Sequence, residues 1–251
     1  MDVLKRRAVT EDQKLLRRQA ILDGALQLLA ETPFEELTVA VLADRLKLAK
    51  GTLYLYFPTK ESLFLAIEQL QLQLWFADLR AALTTRKGQP TKLTTPEQLA
   101  DKLAASLQRH PLLPPLLTVL HNVLERNITH DEALAFKYFL REEVGQTAAV
   151  LQSALKLLPP GHGVKLILQL HALTIGTWQM TDNAAVVRDI LADPKSELAV
   201  FDLHFQPLLR DALRNLVRGL CHKSHKPRPA KTSPATKATA AKKKTPAARS
   251  R

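Results

Sequence analysis

Residues 38–63 have the sequence TVAVLADRLKLAKGTLYLYFPTKESL, and this stretch decides the fold. Thr38 is a suitable N-cap for a short helix over 39–46, and a second short helix is predicted over 50–56. The two are joined by a three-residue turn, 47–49. Two short helices joined in this way make a helix-turn-helix, in which the second helix enters the major groove of DNA.

The second helix of this motif carries the side chains that such a contact needs. Phosphate oxygens accept hydrogen bonds from hydroxyls and cations, and a residue without a side chain lets the backbone come close. The helix and its borders supply one glycine, three hydroxyls and two cations: Gly51, Thr52, Tyr54, Tyr56, Lys50 and Lys60.

The run GTLYLYFPTKESL is similar to the signature of the TetR family of bacterial transcriptional regulators, Gly-Thr-hydrophobic-Tyr-x-x-Phe-x-x-Lys-x-x-Leu. Seven residues match it in register: Gly51, Thr52, Leu53, Tyr54, Phe57, Lys60 and Leu63. The close resemblance covers residues 14–65, and beyond them only the all-helical layout agrees. The resemblance implies DNA contacts by Thr38, Lys50, Gly51, Thr52, Tyr54, Leu55, Tyr56 and Lys60.

Three residues depart from the usual pattern of that family. Lys47 occupies the turn position where the family usually has Gly, which predicts either a strained backbone at this residue or a shifted geometry of the turn. Ala49 replaces the usual Ser or Thr cap and should weaken the start of the helix by about 1 kcal/mol. Leu55 offers a base only apolar contact, as to a thymine methyl. Tyr54 and Lys60 are interpreted as DNA contacts rather than core or solvated residues, whereas Phe57 better suits packing.

The composition of the 251 residues favours an all-α protein. Apolar residues make up 46%, Leu and Ala dominate the middle, and alternating runs of Val, Ile and Thr are missing. The single cysteine excludes an internal disulfide framework. No apolar run is long enough for a membrane span, and the N-terminus lacks a secretory signal. We therefore expect a cytoplasmic, nucleoid-associated protein that does not enter a membrane.

Capping signals and prolines divide the remaining chain into helices. A capping box at 10–13 predicts the start of the first helix, which continues to 31. Further helices are expected over 59–84, from Thr95, from the prolines at 111–115 to 127, and over 129–158, 163–181 and 197–220, the last kinked or split at Pro207. The predicted domains are a helix-turn-helix head, 1–58, a larger helical domain, 59–221, and a disordered tail, 222–251.

The resemblance implies that the larger domain mediates dimerisation and senses a ligand. The last two long helices would pair with those of a second copy, so that the homodimer reads a near-palindromic operator. These two helices have apolar faces that are wide enough for both the core and a partner, formed by Leu166, Leu170, Leu173, Thr174 and Thr177, and by Leu209, Leu213, Leu216 and Leu220. A hydrophobic small-molecule effector would shift the fourth helix and change the spacing of the heads. The candidate pocket residues are Trp75, Phe76, His121, Phe136, Phe139, His171 and Trp178.

The tail carries ten Lys and Arg and no acid, and removing these charges from the net +12 leaves +2 for the rest. Such a tail condenses on DNA without reading bases. The main prediction is thus a DNA-binding transcriptional regulator, with repression as the family default. The alternatives are an architectural, nucleoid-type protein without ligand sensing and a head that binds a protein partner. No catalytic motif, metal site or cofactor is expected.

Overall fold

The computed structural model describes residues 2–32, 36–119, 127–192 and 197–222. These ranges contain ten α-helices and one 3₁₀-helix, and no strand forms within them. The helices are α1 Asp2–Glu31, α2 Val39–Arg45, α3 Lys50–Tyr56, α4 Lys60–Ala82, α5 Pro96–Gln108, α6 Leu113–Val119, α7 His130–Ala154, α8 His162–Thr181, α9 Ala185–Leu191, the 3₁₀-helix Glu197–Phe201 and α10 Phe205–Cys221. The predicted all-α fold is confirmed.

The head is built from α1, α2 and α3. Helix α2 packs on α1 and on α3, and α1 also packs on α4. The buried stripe of α1 consists of Ile21, Leu22, Ala25 and Leu28, which recur at helical spacing. Leu42 of α2 and Leu53 of α3 are buried in the same cluster. This packing holds α3 at a defined angle to the rest of the head.

The larger domain surrounds α4 and α8. Helix α4 packs on α5, α6 and α7, while α8 packs on α6, α7 and α10. The remaining extensive contact joins α10 to α5. Two ion pairs reinforce it, because Arg214 bonds to Asp101 at 2.9 Å and Arg218 bonds to Glu97. One apolar cluster runs through both parts, so head and larger domain share a core.

The helix starts predicted at Thr59, Thr95 and Thr129 are confirmed. Thr59 accepts from the Ser62 backbone N–H at 3.0 Å, and Thr95 and Thr129 each form a complete capping box. Pro96 occupies the first turn of α5, where its missing N–H removes no helical hydrogen bond. Each cap satisfies backbone donors that have no partner inside the helix.

The first helix begins earlier than predicted. Helix α1 starts at Asp2 and continues through Thr10, so the predicted capping box at 10–13 is wrong. Residues 2–9 contain no Pro or Gly, and Leu, Lys, Arg and Ala among them are good helix formers. The backbone ladder therefore passes through Thr10 without a break.

The last predicted helix, 197–220, is two helices. The break lies at 202–204, between the 3₁₀-helix and α10, so the split that we expected occurs just before Pro207. Pro207 lies in the first turn of α10, where a missing N–H costs little. The short helix α9 was not predicted.

Two other predicted helices have different limits. Helix α7 ends at Ala154 rather than near 158, and the Ala154 carbonyl accepts a hydrogen bond from the Leu93 N–H at 2.9 Å. Helix α6 begins at Leu113, so Pro111 precedes it and Pro114 and Pro115 lie in its first turn, while residues 120–126 of its predicted length lie outside the described part. The predicted tail, 222–251, also lies outside it apart from His222.

The apolar faces predicted to serve both core and partner are used largely by the chain's own core. Leu209, Leu213 and Leu220 of α10 are buried, as are Leu166, Leu170, Thr174 and Thr177 of α8. Val217, rather than the predicted Leu216, completes the buried face of α10. Any partner must therefore contact the opposite faces of these helices. None of the described helices combines the length and apolarity that a membrane span requires.

Candidate DNA interface and effector cavity

The turn before α3 has the strained backbone that the sequence predicts. Lys47 adopts φ 52°, in the left-handed region that favours glycine. Ala49 is the N-cap of α3 and provides no side-chain hydrogen bond, as expected. The helix is held instead by Leu53 and Phe57, which are buried, and by the Arg18 guanidinium, which lies 4.9 Å from the Phe57 ring centre. Partial burial lowers the pKa of Arg18.

The opposite face of α3 points away from the protein. The side chain of Leu55 is 84% exposed, and Tyr54 is 48% exposed. Lys50 and Gly51 are also exposed, and Thr52 is partly exposed. A Cβ added to Gly51 would meet no atom within 4 Å, so packing inside the chain does not require glycine there. The predicted base-reading residues thus share one open face.

The predicted phosphate contacts surround this face. The Thr38 hydroxyl accepts from the Val41 N–H at 3.1 Å, so it caps α2 while remaining exposed. The Lys60 ammonium lies 5.4 Å from the centre of the Phe64 ring at the start of α4. Tyr56 is partly buried on the other side of α3. Thr38, Tyr56 and Lys60 therefore border the exposed surface from different elements.

A groove beside Tyr56 adds residues that the sequence analysis did not include. Its volume is about 590 Å³, and Gln13, Lys14, Leu16, Arg17 and Ala20 of α1 form its other wall. Lys14 and Arg17 are three residues apart and so project from the same side of the helix. The spacing of these two cations could have indicated a basic face of α1. The capping box predicted at 10–13 instead placed these residues at the start of a helix.

The larger domain encloses an apolar cavity of about 80 Å³ between α4, α5, α6, α7 and α8. Of the predicted pocket residues, Trp75, Phe76 and His171 line it. The Trp75 indole N–H donates to the Ser106 hydroxyl at 3.0 Å, so Trp75 presents only apolar surface. Among the described lining residues, His171 is the one with a titratable side chain.

Three of the other predicted pocket residues, Phe136, Phe139 and Trp178, lie elsewhere. Phe136 and Phe139 pack on each other with ring centres 6.0 Å apart, and neither lines the cavity. Trp178 packs edge-on against Phe205 at 5.3 Å, while His121 lies outside the described residues. The sequence analysis missed the aliphatic walls, such as Leu113, because nothing distinguishes an aliphatic wall residue from an aliphatic core residue in a sequence.

Helix α4 connects the cavity to the head. Leu72, Trp75 and Phe76 in its middle line the cavity, and its first turn follows α3 directly. Near its other end, Arg80 donates to the Glu143 carboxylate at 2.5 Å and to the Thr147 hydroxyl at 3.1 Å, both on α7.

The first turn of α4 also lies beside the first turn of α7, where Ser62 is close enough to Glu132 to affect its carboxylate. Partial burial disfavours the Glu132 carboxylate, but hydrogen bonds from Ser62 and Thr129 outweigh it and lower the pKa of Glu132. Ser62 in turn lies 2.9 Å from the Thr59 hydroxyl that caps α4. The first turn of α4 meets the first turn of α7, and the last turns of α4 meet the middle of α7. The two helices therefore run in the same direction.

Two family models match this architecture. Residues 21–67 match the model described as bacterial regulatory proteins, tetR family. Residues 69–223, more than half of the chain, match the one described as tetracyclin repressor-like, C-terminal domain. The boundary between the two matches falls within α4, the helix that joins head and larger domain.

Several curated proteins are similar to part of the chain. The HTH-type transcriptional repressor KstR of Mycobacterium tuberculosis is 31% identical over 106 residues, 41% of this chain and 45% of the relative. The HTH-type transcriptional repressor Rv1474c of the same organism is 31% identical over 104 residues, 40% of this chain and 52% of the relative. The nucleoid occlusion factor SlmA of Marinobacter nauticus is 28% identical over 107 residues, 43% and 53% respectively. The chain thus spans about half the length of the curated relatives it matches.

Proposed function

Because the chain belongs to the TetR family of bacterial regulators, we propose that it is a sequence-specific transcriptional repressor that binds DNA as a homodimer. The observation that carries this proposal is the open face of α3, where Leu55 is 84% exposed and Gly51 has free space around its Cα. An apolar side chain exposed to this extent gains from contact with a partner surface. The relatives named as transcriptional repressors support the same function.

Each predicted DNA-contact residue of the head has a proposed role. Lys50, Gly51, Thr52 and Leu55 face the bases, with Leu55 against a thymine methyl. Thr38, Tyr54, Tyr56 and Lys60 bind the phosphate backbone, which sets register and salt-dependent affinity. We add Lys14 and Arg17 to this set, because they form one wall of the groove that Tyr56 borders.

Two copies related by a two-fold axis place two α3 helices on one side of the duplex. Recognition helices then fall in successive major grooves, one or more helical turns apart, so the operator is nearly palindromic. A single head of this size reads few base pairs, and the dimer multiplies their contribution. The dimer should therefore bind the full operator far more tightly than it binds a single half-site.

We further propose that a small hydrophobic effector enters the cavity and lowers operator affinity. The lining is apolar apart from His171 and Thr174, and the Thr174 hydroxyl already donates to the Leu170 carbonyl at 2.8 Å. His171 carries the imidazole in this lining, and we assign it the orientation of a polar group of the effector. A coupling of roughly 1–3 kcal/mol between the sites changes affinity about 5–150-fold.

A second candidate function is architectural DNA binding without an effector. The ten Lys and Arg of residues 222–251 favour it, since such a tail binds DNA irrespective of sequence. Similarity to a relative named as a nucleoid occlusion factor also supports it. The two functions differ in the sequence selectivity they require.

The test is a fluorescence anisotropy titration of the full chain against genomic fragments, including its own upstream region, at two salt concentrations. A repressor should bind one near-palindromic site at least about a thousandfold more tightly than bulk DNA. Weak uniform binding that disappears when residues 222–251 are removed would favour the architectural function.

A matched pair of variants then tests the head. Tyr54→Phe should weaken operator binding, because it removes a phosphate hydrogen bond, whereas Tyr138→Phe, at an exposed tyrosine of α7, should not. Equal affinities of both variants for the operator would remove Tyr54 from the interface.

A further inference from the structure

The segment between α8 and α10 exposes an unusual amount of apolar surface. It comprises α9 and the 3₁₀-helix, and we call the described residues 182–192 and 197–203 the connector. Helix α9 has no buried residue. Six large apolar side chains of the connector are exposed, including two at 72% and 60%: Val186, Val187, Ile190, Leu198, Val200 and Phe201.

Within the described residues, the connector has little packing against the rest of its own chain. The principal packing of α9 is with the 3₁₀-helix, and neither helix has another extensive contact among the described elements. A seven-residue helix in water is marginal without tertiary packing. Exposed apolar side chains on such a helix therefore indicate a surface that another molecule covers.

The chemistry of the connector argues against a polyanion as that molecule. Its described residues contain one cation, Arg188, and four acids. The Arg188 guanidinium is held locally, donating to the Asn183 carbonyl at 2.7 Å. Phosphates of DNA and anionic lipid headgroups attract basic surfaces instead. An apolar protein surface fits the connector better.

This chain itself presents such a surface along α8, whose last turn adjoins the connector. Five residues spaced by four along α8 are exposed and form one stripe that is inclined to the helix axis: Val164, Leu168, Ala172, Gly176 and Met180. Met180 lies next to the connector in sequence, so stripe and connector are continuous. The exposed residues of α10, by contrast, are mainly polar, such as Arg210, Asp211 and Asn215.

The area that a stable dimer interface buries also favours a second copy of this chain as the molecule that covers the connector. Such an interface buries roughly 800 Å² on each partner, contributed by about 20–30 residues. The α8 stripe alone has three large side chains, Val164, Leu168 and Met180, and the outer face of α10 adds little apolar area. The connector would supply most of the missing surface.

We propose that the connector of each copy packs on the α8 stripe of a second copy of this chain. The proposal rests on the homodimer of the proposed function and assigns the residues that hold it together. In a two-fold arrangement each copy gives its connector and receives its partner's, so the same contact forms twice and both connectors are covered.

The experiment compares two double variants of the full chain in sedimentation equilibrium. Val200→Ser with Phe201→Ser should raise the dimer dissociation constant at least about tenfold, as expected for large apolar anchors of an interface. Leu15→Ser with Leu16→Ser is the matched control, since these side chains are 64% and 72% exposed on α1. The control should leave dimerisation within about twofold of wild type.

A second measurement locates the contact. On a Cys221→Ser background, a chain with Phe201→Cys is mixed with a chain with Leu168→Cys or Met180→Cys and oxidised. Selective formation of the mixed disulfide supports the proposal.

The possible failures are distinguishable. An unchanged dissociation constant in the connector variant, with no mixed disulfide, overturns the connector proposal and leaves the dimer intact. A wild-type chain that stays monomeric at all concentrations overturns the dimer and the connector proposal together.

Discussion

Replacing Gly51 by alanine should stabilise the protein and weaken its binding to the operator. Gly51 is the second residue of α3, and a Cβ there would meet no atom within 4 Å. Within a helix, glycine is less stable than alanine by about 0.5–1 kcal/mol, chiefly because of its greater freedom in the unfolded chain. The substitution should raise the free energy of unfolding by that amount.

The same methyl group has no free space if α3 lies in the major groove. Forcing one extra carbon into a closely packed contact costs about 1–3 kcal/mol, which corresponds to roughly a 5–150-fold higher dissociation constant. Urea unfolding followed by circular dichroism measures the first effect, and anisotropy on the operator measures the second.

Gly145→Ala provides the control. Gly145 is also exposed within a helix, α7, and a Cβ there would likewise meet nothing within 4 Å. This variant should gain similar stability and bind the operator as wild type does. If Gly51→Ala also bound with wild-type affinity, the close approach of the α3 backbone to DNA would be refuted. A loss of stability would instead refute the local account of α3.

Three further predictions concern the fold around the sites. Lys47→Gly should raise the free energy of unfolding by about 1 kcal/mol, because φ 52° is strained for lysine, and an unchanged urea midpoint would contradict this. Gly163→Ala should destabilise the chain by about 1–3 kcal/mol, since its Cβ would lie 2.6 Å from the Ala148 carbonyl oxygen, and a wild-type melting temperature would show that α7 and α8 can separate freely. Glu132→Gln should flatten the acid side of the stability curve. The lowered pKa of Glu132 stabilises the native state fully above the ordinary glutamate value of the unfolded chain, and this contribution is lost as pH falls through the lower native value. Identical urea midpoints against pH for both proteins would exclude that contribution.

The starts of helices with a strong N-capping residue could be predicted from local sequence chemistry. Thr59, Thr95 and Thr129 accept hydrogen bonds from backbone N–H groups that have no partner inside the helix, and no distant residue is needed. These caps could therefore be predicted from the sequence. The bounds of α3 were predicted correctly for a similar reason. Thr10 carries the same kind of signal, yet the helix passes through it, because nothing before it ends the hydrogen-bond ladder.

Which face of a helix is buried was harder to predict. In α10 the sets 209, 213, 216, 220 and 209, 213, 217, 220 both fit helical spacing, and the structure buries Val217. Burial there depends on where α5 and α8 lie, which is tertiary information. The residues that line the cavity were hard to predict for the same reason, because the cavity walls and the packed core are built from the same aliphatic residue types.

The arrangement of α4 determines how an effector in the cavity could act on the head. A volume of about 80 Å³ is far below the roughly 300–1,000 Å³ of sites for drug-sized ligands, so such an effector enters only if α4, α7 and α8 separate. Helix α4 meets α7 near both ends, where Ser62 lies beside Glu132 and Arg80 donates to Glu143.

The two attachments of α4 are unequal. Arg80 also bonds to Thr147, and its ion pair with Glu143 is largely buried, so breaking it leaves a poorly solvated charge. The contact between Ser62 and Glu132 has one neutral partner, and either group can bond to water when it opens. Separation should therefore begin at the first turn of α4. That turn starts three residues after Phe57, which holds α3 against the head, so the weaker attachment is the one whose opening moves the DNA-binding face.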